Sequence, residues 1–193
     1  MSFSLADHFY NEIFQDWMLA ENHYNEYERF LSLFELNVDG HTTPGGSKMN
    51  YYEDYRYPEY ADPKKHFIDF VYSCVENLPI ENVRPVSSWW IDYPLGTYST
   101  MHSHEQTQRF SVICNLTPYF HDETRPNAGH LFATPSKIKH IDFTPEAGDV
   151  VILDGRIQHG TYPNINERKV FCMDWEYKFV ENLDQDAGGS FKG

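Results

Sequence analysis

From Pro79 onward the chain is a succession of short segments rich in Val, Ile, Trp, Tyr and Phe, broken by Gly, Pro, Asn and Asp at intervals of about ten residues. That rhythm is the pattern of an antiparallel sandwich or barrel. It predicts strands near 85–93, 97–103, 109–118, 129–134, 138–143, 149–154, 158–162 and 168–180. Short strands in that number match a jelly roll.

Upstream of Pro79 the pattern is different. Residues 5–36 carry Phe9, Ile13 and Trp17, then Tyr27, Phe30, Leu31 and Phe34, at helical spacing among acidic residues and Asn, which predicts two short helices or a strand followed by a helix. Residues 37–65 are rich in turn formers and tyrosines without a steady period, and are expected to form a long ordered loop. The stretch 62–77 opens with Asp62 and Pro63 and repeats apolar residues at Phe67, Phe70, Val71, Cys74 and Val75, which predicts a helix. The polar, glycine-rich residues 184–190 are expected to fray. With no internal repeat, the expected organisation is a single domain over 1–193. Residues 1–84 give helical and loop support, 85–180 the β core and 181–193 a flexible tail.

A chain of 193 residues with 40% hydrophobic and 17% aromatic content can bury a sizeable core. No apolar run approaches the roughly 18 residues of a membrane span, and residues 1–8 lack the basic start and apolar stretch of a signal peptide. A soluble, cytoplasmic protein is expected. Cys74, Cys114 and Cys172 are odd in number, widely spaced and set in apolar contexts, which suits reduced buried thiols better than a disulfide framework. A formal charge of -14 disfavours duplex nucleic acid as the main partner, because phosphates are gripped by clustered Lys and Arg.

The chemistry concentrates in two β segments. On a strand, residues i and i+2 point to one side, so His102 and His104 in 96–104 would project together. A third imidazole, His159, closes the segment 148–159, in which Gly148 opens an apolar strand. Two such strands facing each other would form a metal site. A His-x-His pair alone is more often a solvated pair on an exposed face. Here it is joined by the distant His159 and by Arg168 nine residues beyond, and the conjunction is far more specific than its parts. By the same alternation Tyr98 and Thr100 share the face of His102, and Val170, Cys172 and Asp174 share that of Arg168. Arg109, Ser111 and Asn115 form one face of the next strand. His121, His130 and His140 each stand singly at turns or strand ends and read as solvated or capping residues.

This conjunction resembles the 2-oxoglutarate and Fe(II)-dependent oxygenases, particularly the small phage-type members with a His-x-His proximal motif. The resemblance covers roughly residues 86–180 and rests on 96–98, His102 and His104, 129–132, Gly148 and Asp149, His159 and 166–168. It implies a double-stranded β-helix, with Fe(II) held by His102 and His159. It also implies that Arg168 grips the far carboxylate of 2-oxoglutarate, for which a planar guanidinium is suited. Tyr98 is a candidate to hydrogen-bond the cosubstrate or a substrate. The implied reaction consumes O2 and hydroxylates a substrate C–H with release of succinate and CO2. The substrate class would be a small molecule or a peptidyl side chain.

One departure matters. The commonest family pattern is His-x-Asp or His-x-Glu, whereas the carboxylate position here is His104. Either His104 is the third ligand or it stands behind the ligands while water completes the coordination; Glu105, on the opposite face by alternation, ranks third. The segment 51–60 is a candidate lid over the open end. The competing reading is a cupin-type metal protein, an enzyme of another kind or a small-molecule binding module. Gly96 to His104 looks like the first cupin motif, but the glutamate expected after the second histidine is absent and a cupin has no use for Arg168.

Overall fold

The computed structural model describes residues 22–34, 40–51, 61–104, 108–136, 139–144 and 146–180. Two antiparallel sheets organise them. The larger has seven strands in the order β1-β8-β5-β10-β4-β3-β2, and the smaller has three in the order β7-β6-β9. Their ranges are β1 Asn22–His23, β2 His41–Thr42, β3 Lys48–Tyr51, β4 Ile80–Tyr93, β5 Arg109–Asn115, β6 Leu131–Ser136, β7 Lys139–Phe143, β8 Asp149–Asp154, β9 Gln158–Thr161 and β10 Arg168–Phe179. The fold is a jelly roll of the double-stranded β-helix kind, mainly β with helices on its N-terminal side, as the strand rhythm predicts.

The central strand β10 shows how the sequence builds two environments at once. Phe171, Met173 and Trp175 point to one side, into a core shared with the helices. Arg168, Val170, Cys172 and Asp174 point to the other, into a cavity facing the smaller sheet. Both faces are therefore buried, and residues 170–175 of β10 are buried without a break, Asp174 among them. The neighbouring strands repeat the division. Phe110, Val112 and Cys114 of β5 join the core while Ser111 and Ile113 line the cavity, and on β4 Trp90 joins the core while Trp89 and Tyr93 line the cavity.

Two helices cover the core face: α1, Glu28–Leu31, and α2, Ala61–Val75. In α2, Phe67, Val71 and Val75 recur at intervals of four and are buried. Each contributes about 1.5–3 kcal/mol relative to an exposed position. Asp62 lies in the first turn, where a carboxylate meets the positive end of the helix, and pairs with Arg29 of α1. Phe30 is the buried residue of α1. Between Asn22 and Phe34 the order is strand then helix, one of the two expected arrangements; residues 5–21 lie outside the described residues.

Two expectations need correction. The stretch 37–65 is not wholly loop: β2 and β3 extend the edge of the large sheet, with Lys48 paired to Asp92 and Tyr51 to Trp89. Residues 97–103 do not form a strand. They run as an irregular segment tied down at separate points, by Tyr98 N–H to the Gly45 carbonyl at 3.1 Å, by Thr161 N–H to the Ser99 carbonyl at 3.1 Å, and by a two-bond bridge between His102 and His159. The close approach depends on glycine. A Cβ on Gly160 would lie 2.8 Å from the Ser99 carbonyl oxygen, and one on Gly45 would overlap that of Tyr98 at 1.9 Å. Of the candidate lid 51–60, only Tyr51, the last residue of β3, is described; the rest of it and the tail 184–190 lie outside the described residues.

At the end of β8 the turn buries Asp154, 1% exposed. Its Oδ1 accepts the Arg156 N–H at 2.8 Å, while Oδ2 has no partner among the described residues. Burial, the largest influence, raises its pKa from 3.8 to about 6. A carboxyl whose folded pKa lies above its unfolded value favours the fold when protonated. That contribution is complete below pH 3.8 and is lost as pH rises through about 6. Asp154→Asn, neutral throughout, is expected to exceed the wild type in stability by about 1–3 kcal/mol at pH 8 and to have little advantage at pH 4. Urea unfolding at the two pH values measures the difference; an equal effect at both would remove the titration from the explanation.

Candidate metal centre

His102, His104 and His159 come together at the mouth of the cavity between the sheets. Their ligand nitrogens lie within 4.8 Å of one another, and among the described residues this is the group of His, Cys, Asp or Glu placed to hold a metal ion. The backbone brings them there. His102 N–H donates to the His159 carbonyl at 2.9 Å and His159 N–H returns a bond to the His102 carbonyl at 2.8 Å, so the two imidazoles stand side by side with centroids 4.4 Å apart. His104 N–H donates to the Gly155 carbonyl at 2.8 Å, fixing the third ring 5.5 Å from His102 and 5.4 Å from His159. Glu105 lies outside the described residues.

Each ring has its Nδ1 engaged. His102 Nδ1 lies 2.8 Å from the Thr100 carbonyl oxygen and His159 Nδ1 lies 3.0 Å from that of Ile157. A carbonyl only accepts, so Nδ1 carries the proton in both rings and Nε2 presents its lone pair. His104 Nδ1 lies 2.9 Å from Asp174 Oδ2 and 3.1 Å from Ser111 Oγ. The Ser111 hydroxyl donates to Asp174 Oδ1 at 2.5 Å.

Electrostatics keeps the pair on the bridge neutral. Burial, then the neighbouring His102, holds the His159 pKa down to about 3. His102 has exposed surface, yet desolvation among the packed rings lowers its pKa as well. Unprotonated imidazoles with fixed Nδ1–H tautomers fit a divalent transition metal.

The cavity behind the cluster, about 390 Å³, carries a cation of its own. Arg168 is 5% exposed. Its Nε donates to Asn115 Oδ1 at 2.7 Å and Nη1 to the Gly129 carbonyl at 2.6 Å, and its guanidinium lies 5.7 Å over the Tyr93 ring. Among the described residues no carboxylate pairs with it. Burial lowers its pKa, the direction for a charge without an anionic partner. Tyr93 is buried, and desolvation raises its pKa to about 12. Its hydroxyl therefore stays protonated as a donor.

The structure thus brings four of the sequence-derived candidates, His102, His104, His159 and Arg168, to one cavity. It does not bring Tyr98, which is 38% exposed and absent from the lining, because the period-two argument ran along a segment that is not a strand. Tyr93, paired directly with Arg168 in register, stands there instead. Asn115 and Ser111 follow from their face of β5; Asp174 lines the cavity, as its place on the Arg168 face requires. His130 is bonded to Tyr119, and His140 to Asp142 and Tyr162, away from the cluster. The three cysteines are free thiols.

Fold and cluster together define the class: a double-stranded β-helix with a three-imidazole cluster and a buried arginine in one cavity. No family model and no curated protein matches the chain. Solved structures match it in fold. A Pseudomonas putida prolyl-4-hydroxylase superposes with a TM-score of 0.63 at 14% identity, over 87% of this chain and 99% of that one. A Trichoplax adhaerens prolyl hydroxylase, in complex with a hypoxia inducible factor peptide fragment, gives 0.61 at 14% identity over 98% and 99%. HygX from Streptomyces hygroscopicus, with nickel, 2-oxoglutarate and hygromycin B bound, gives 0.57 at 13% over 78% of each chain. The fold is therefore that of 2-oxoglutarate and Fe(II) oxygenases.

Proposed function

We propose that the protein is a 2-oxoglutarate- and Fe(II)-dependent dioxygenase that hydroxylates an unactivated C–H bond of a small-molecule or peptidyl substrate, releasing succinate and CO2. The observation that carries this reading is Arg168, a buried guanidinium without an anionic partner among the described residues, in the same cavity as the three imidazoles. Burying an unpaired charge costs several kcal/mol. An anionic ligand entering the cavity would offset that cost.

The residues divide the work. His102, His104 and His159 would hold the metal through Nε2, and Fe(II), when bound, supplies the O2-activating redox chemistry that the side chains lack. Asn115 and the Gly129 carbonyl fix the guanidinium plane, which leaves Nη2 to meet the far carboxylate of 2-oxoglutarate. The protonated Tyr93 hydroxyl, in the same lining, would add a donor. Ile91, Ile113, Leu131 and Val170 give that end apolar walls, which exclude water and strengthen the ion pair. A cupin-type metal protein would share the sheets and the histidines but leaves Arg168 without a purpose. Among the similar proteins one holds a peptide fragment and another hygromycin B, so the substrate class stays broad. Among the described residues no helix is long and apolar enough to cross a membrane.

The test is substrate-independent turnover. With Fe(II), O2 and 2-oxoglutarate labelled at C1, slow release of labelled CO2 is expected from the wild type and none from His159→Ala. Metal binding without any release over hours would contradict the proposal.

A further inference from the structure

His104 differs from the other two histidines in what holds its second nitrogen. His102 and His159 donate to backbone carbonyls, whereas His104 faces a carboxylate, Asp174 Oδ2, at 2.9 Å. That carboxylate is itself held. The Ser111 hydroxyl donates to its other oxygen at 2.5 Å, and Ser111 and Asp174 are direct cross-strand partners on β5 and β10. Ser111 is 1% and Asp174 9% exposed. Among the described residues lining the cavity, Asp174 is the one carboxylate. Trp89, 8% exposed, packs its ring 5.8 Å from that of His104 and limits how far the imidazole can swing.

We propose that Asp174 is a positioning residue for the metal. Clamped by Ser111, it holds His104 in the Nδ1–H tautomer, aims Nε2 at the cluster, and supplies from one hydrogen bond away the negative charge that a carboxylate at position 104 would have placed on the ion. The inference rests on the metal-centre reading above. A ligand imidazole that donates its other N–H to a carboxylate is oriented by it and made a better donor. A carboxylate this buried needs such partners, and among the described residues His104 and Ser111 supply them.

The expected consequence is specific to the tautomer. In Asp174→Asn, with the Ser111 hydroxyl still donating to the amide oxygen, the NH2 faces His104 Nδ1 and favours the Nε2–H form of His104, in which the ligand atom is blocked. Long-range 1H–15N correlation spectra of metal-free, 15N-histidine-labelled protein read the tautomer, and titration with Co(II) reads the affinity. The wild type is expected in the Nδ1–H form. Asp174→Asn is expected to shift to the Nε2–H form and to bind Co(II) about 10- to 100-fold more weakly. Ser111→Ala should keep the tautomer and lose less. If Asp174→Asn does not fold, the double variant His104→Asp with Asp174→Asn carries the test, because it moves the carboxylate to the ligand position at constant charge. It should bind Co(II) at least as tightly as the wild type, since the carboxylate then meets the ion directly. Wild-type tautomer with affinity within about threefold in Asp174→Asn, or a double variant about tenfold or more weaker than the wild type, overturns the role of Asp174 alone. Failure of the wild type to bind Co(II) at all overturns the metal centre with it.

Discussion

Arg168→Lys is expected to weaken 2-oxoglutarate binding by about two orders of magnitude or more while leaving metal affinity unchanged. The guanidinium is presented as a plane, with Nε and Nη1 occupied by Asn115 and the Gly129 carbonyl and its face over Tyr93. An ammonium on a flexible stem can satisfy one of these contacts but not the fork. Nη2 is the group left to meet the cosubstrate, and losing a charge-assisted hydrogen bond in a dry cavity costs about 1.5–3 kcal/mol, which accounts for the effect. Lysine is the informative change, because alanine would also strand Asn115 Oδ1 and the Gly129 carbonyl. Calorimetric titration of metal-loaded protein under anaerobic conditions measures both affinities. Cosubstrate affinity within a few-fold of wild type would mean that Arg168 is a structural charge.

Phe30→Ala should carry the largest cost in stability, about 3–5 kcal/mol. Phe30 is 0% exposed and is the buried residue of a four-residue helix. Its ring lies 4.5 Å from Phe171, 5.5 Å from Trp90 and 5.6 Å from Phe67, thereby joining α1, α2 and the centre of the large sheet. The cavity left behind sits on the core face of β10, whereas Val170 and Cys172 on either side of Phe171 face the metal-centre cavity. Folded Phe30→Ala is therefore expected to bind metal as the wild type does, with a lower urea midpoint. A loss below about 1 kcal/mol would show that the aromatic cluster closes over the gap.

The cavity side of β10 is legible in the sequence, because Arg168, Val170, Cys172 and Asp174 obey a strict period of two and the strand is long. The helix at 61–75 and the three histidines were legible for similar reasons: strong local periodicity in one case, rare chemistry in the other. The segment carrying His102 was not. Its path is set by contacts with Gly45, Gly155, His159 and Thr161, which lie more than forty residues away in the chain, so local alternation misplaced Tyr98 and passed over Tyr93. Strands β1 to β3 are not legible in the sequence, because two- to four-residue edges take their register from β8 and β4 rather than from their own residues. The link between His104 and Asp174 spans 70 positions, a distance at which residue type suggests chemistry but only the fold can supply a partner.

The most direct test of a three-imidazole metal centre sharing its cavity with a cosubstrate-binding arginine is spectroscopic. Fe(II) and then 2-oxoglutarate are added anaerobically to the metal-free protein. A weak visible charge-transfer band should appear on the second addition, be absent in His159→Ala, and need far more cosubstrate in Arg168→Lys. Iron that binds tightly but gives no band at any 2-oxoglutarate concentration would contradict the assignment of the cavity.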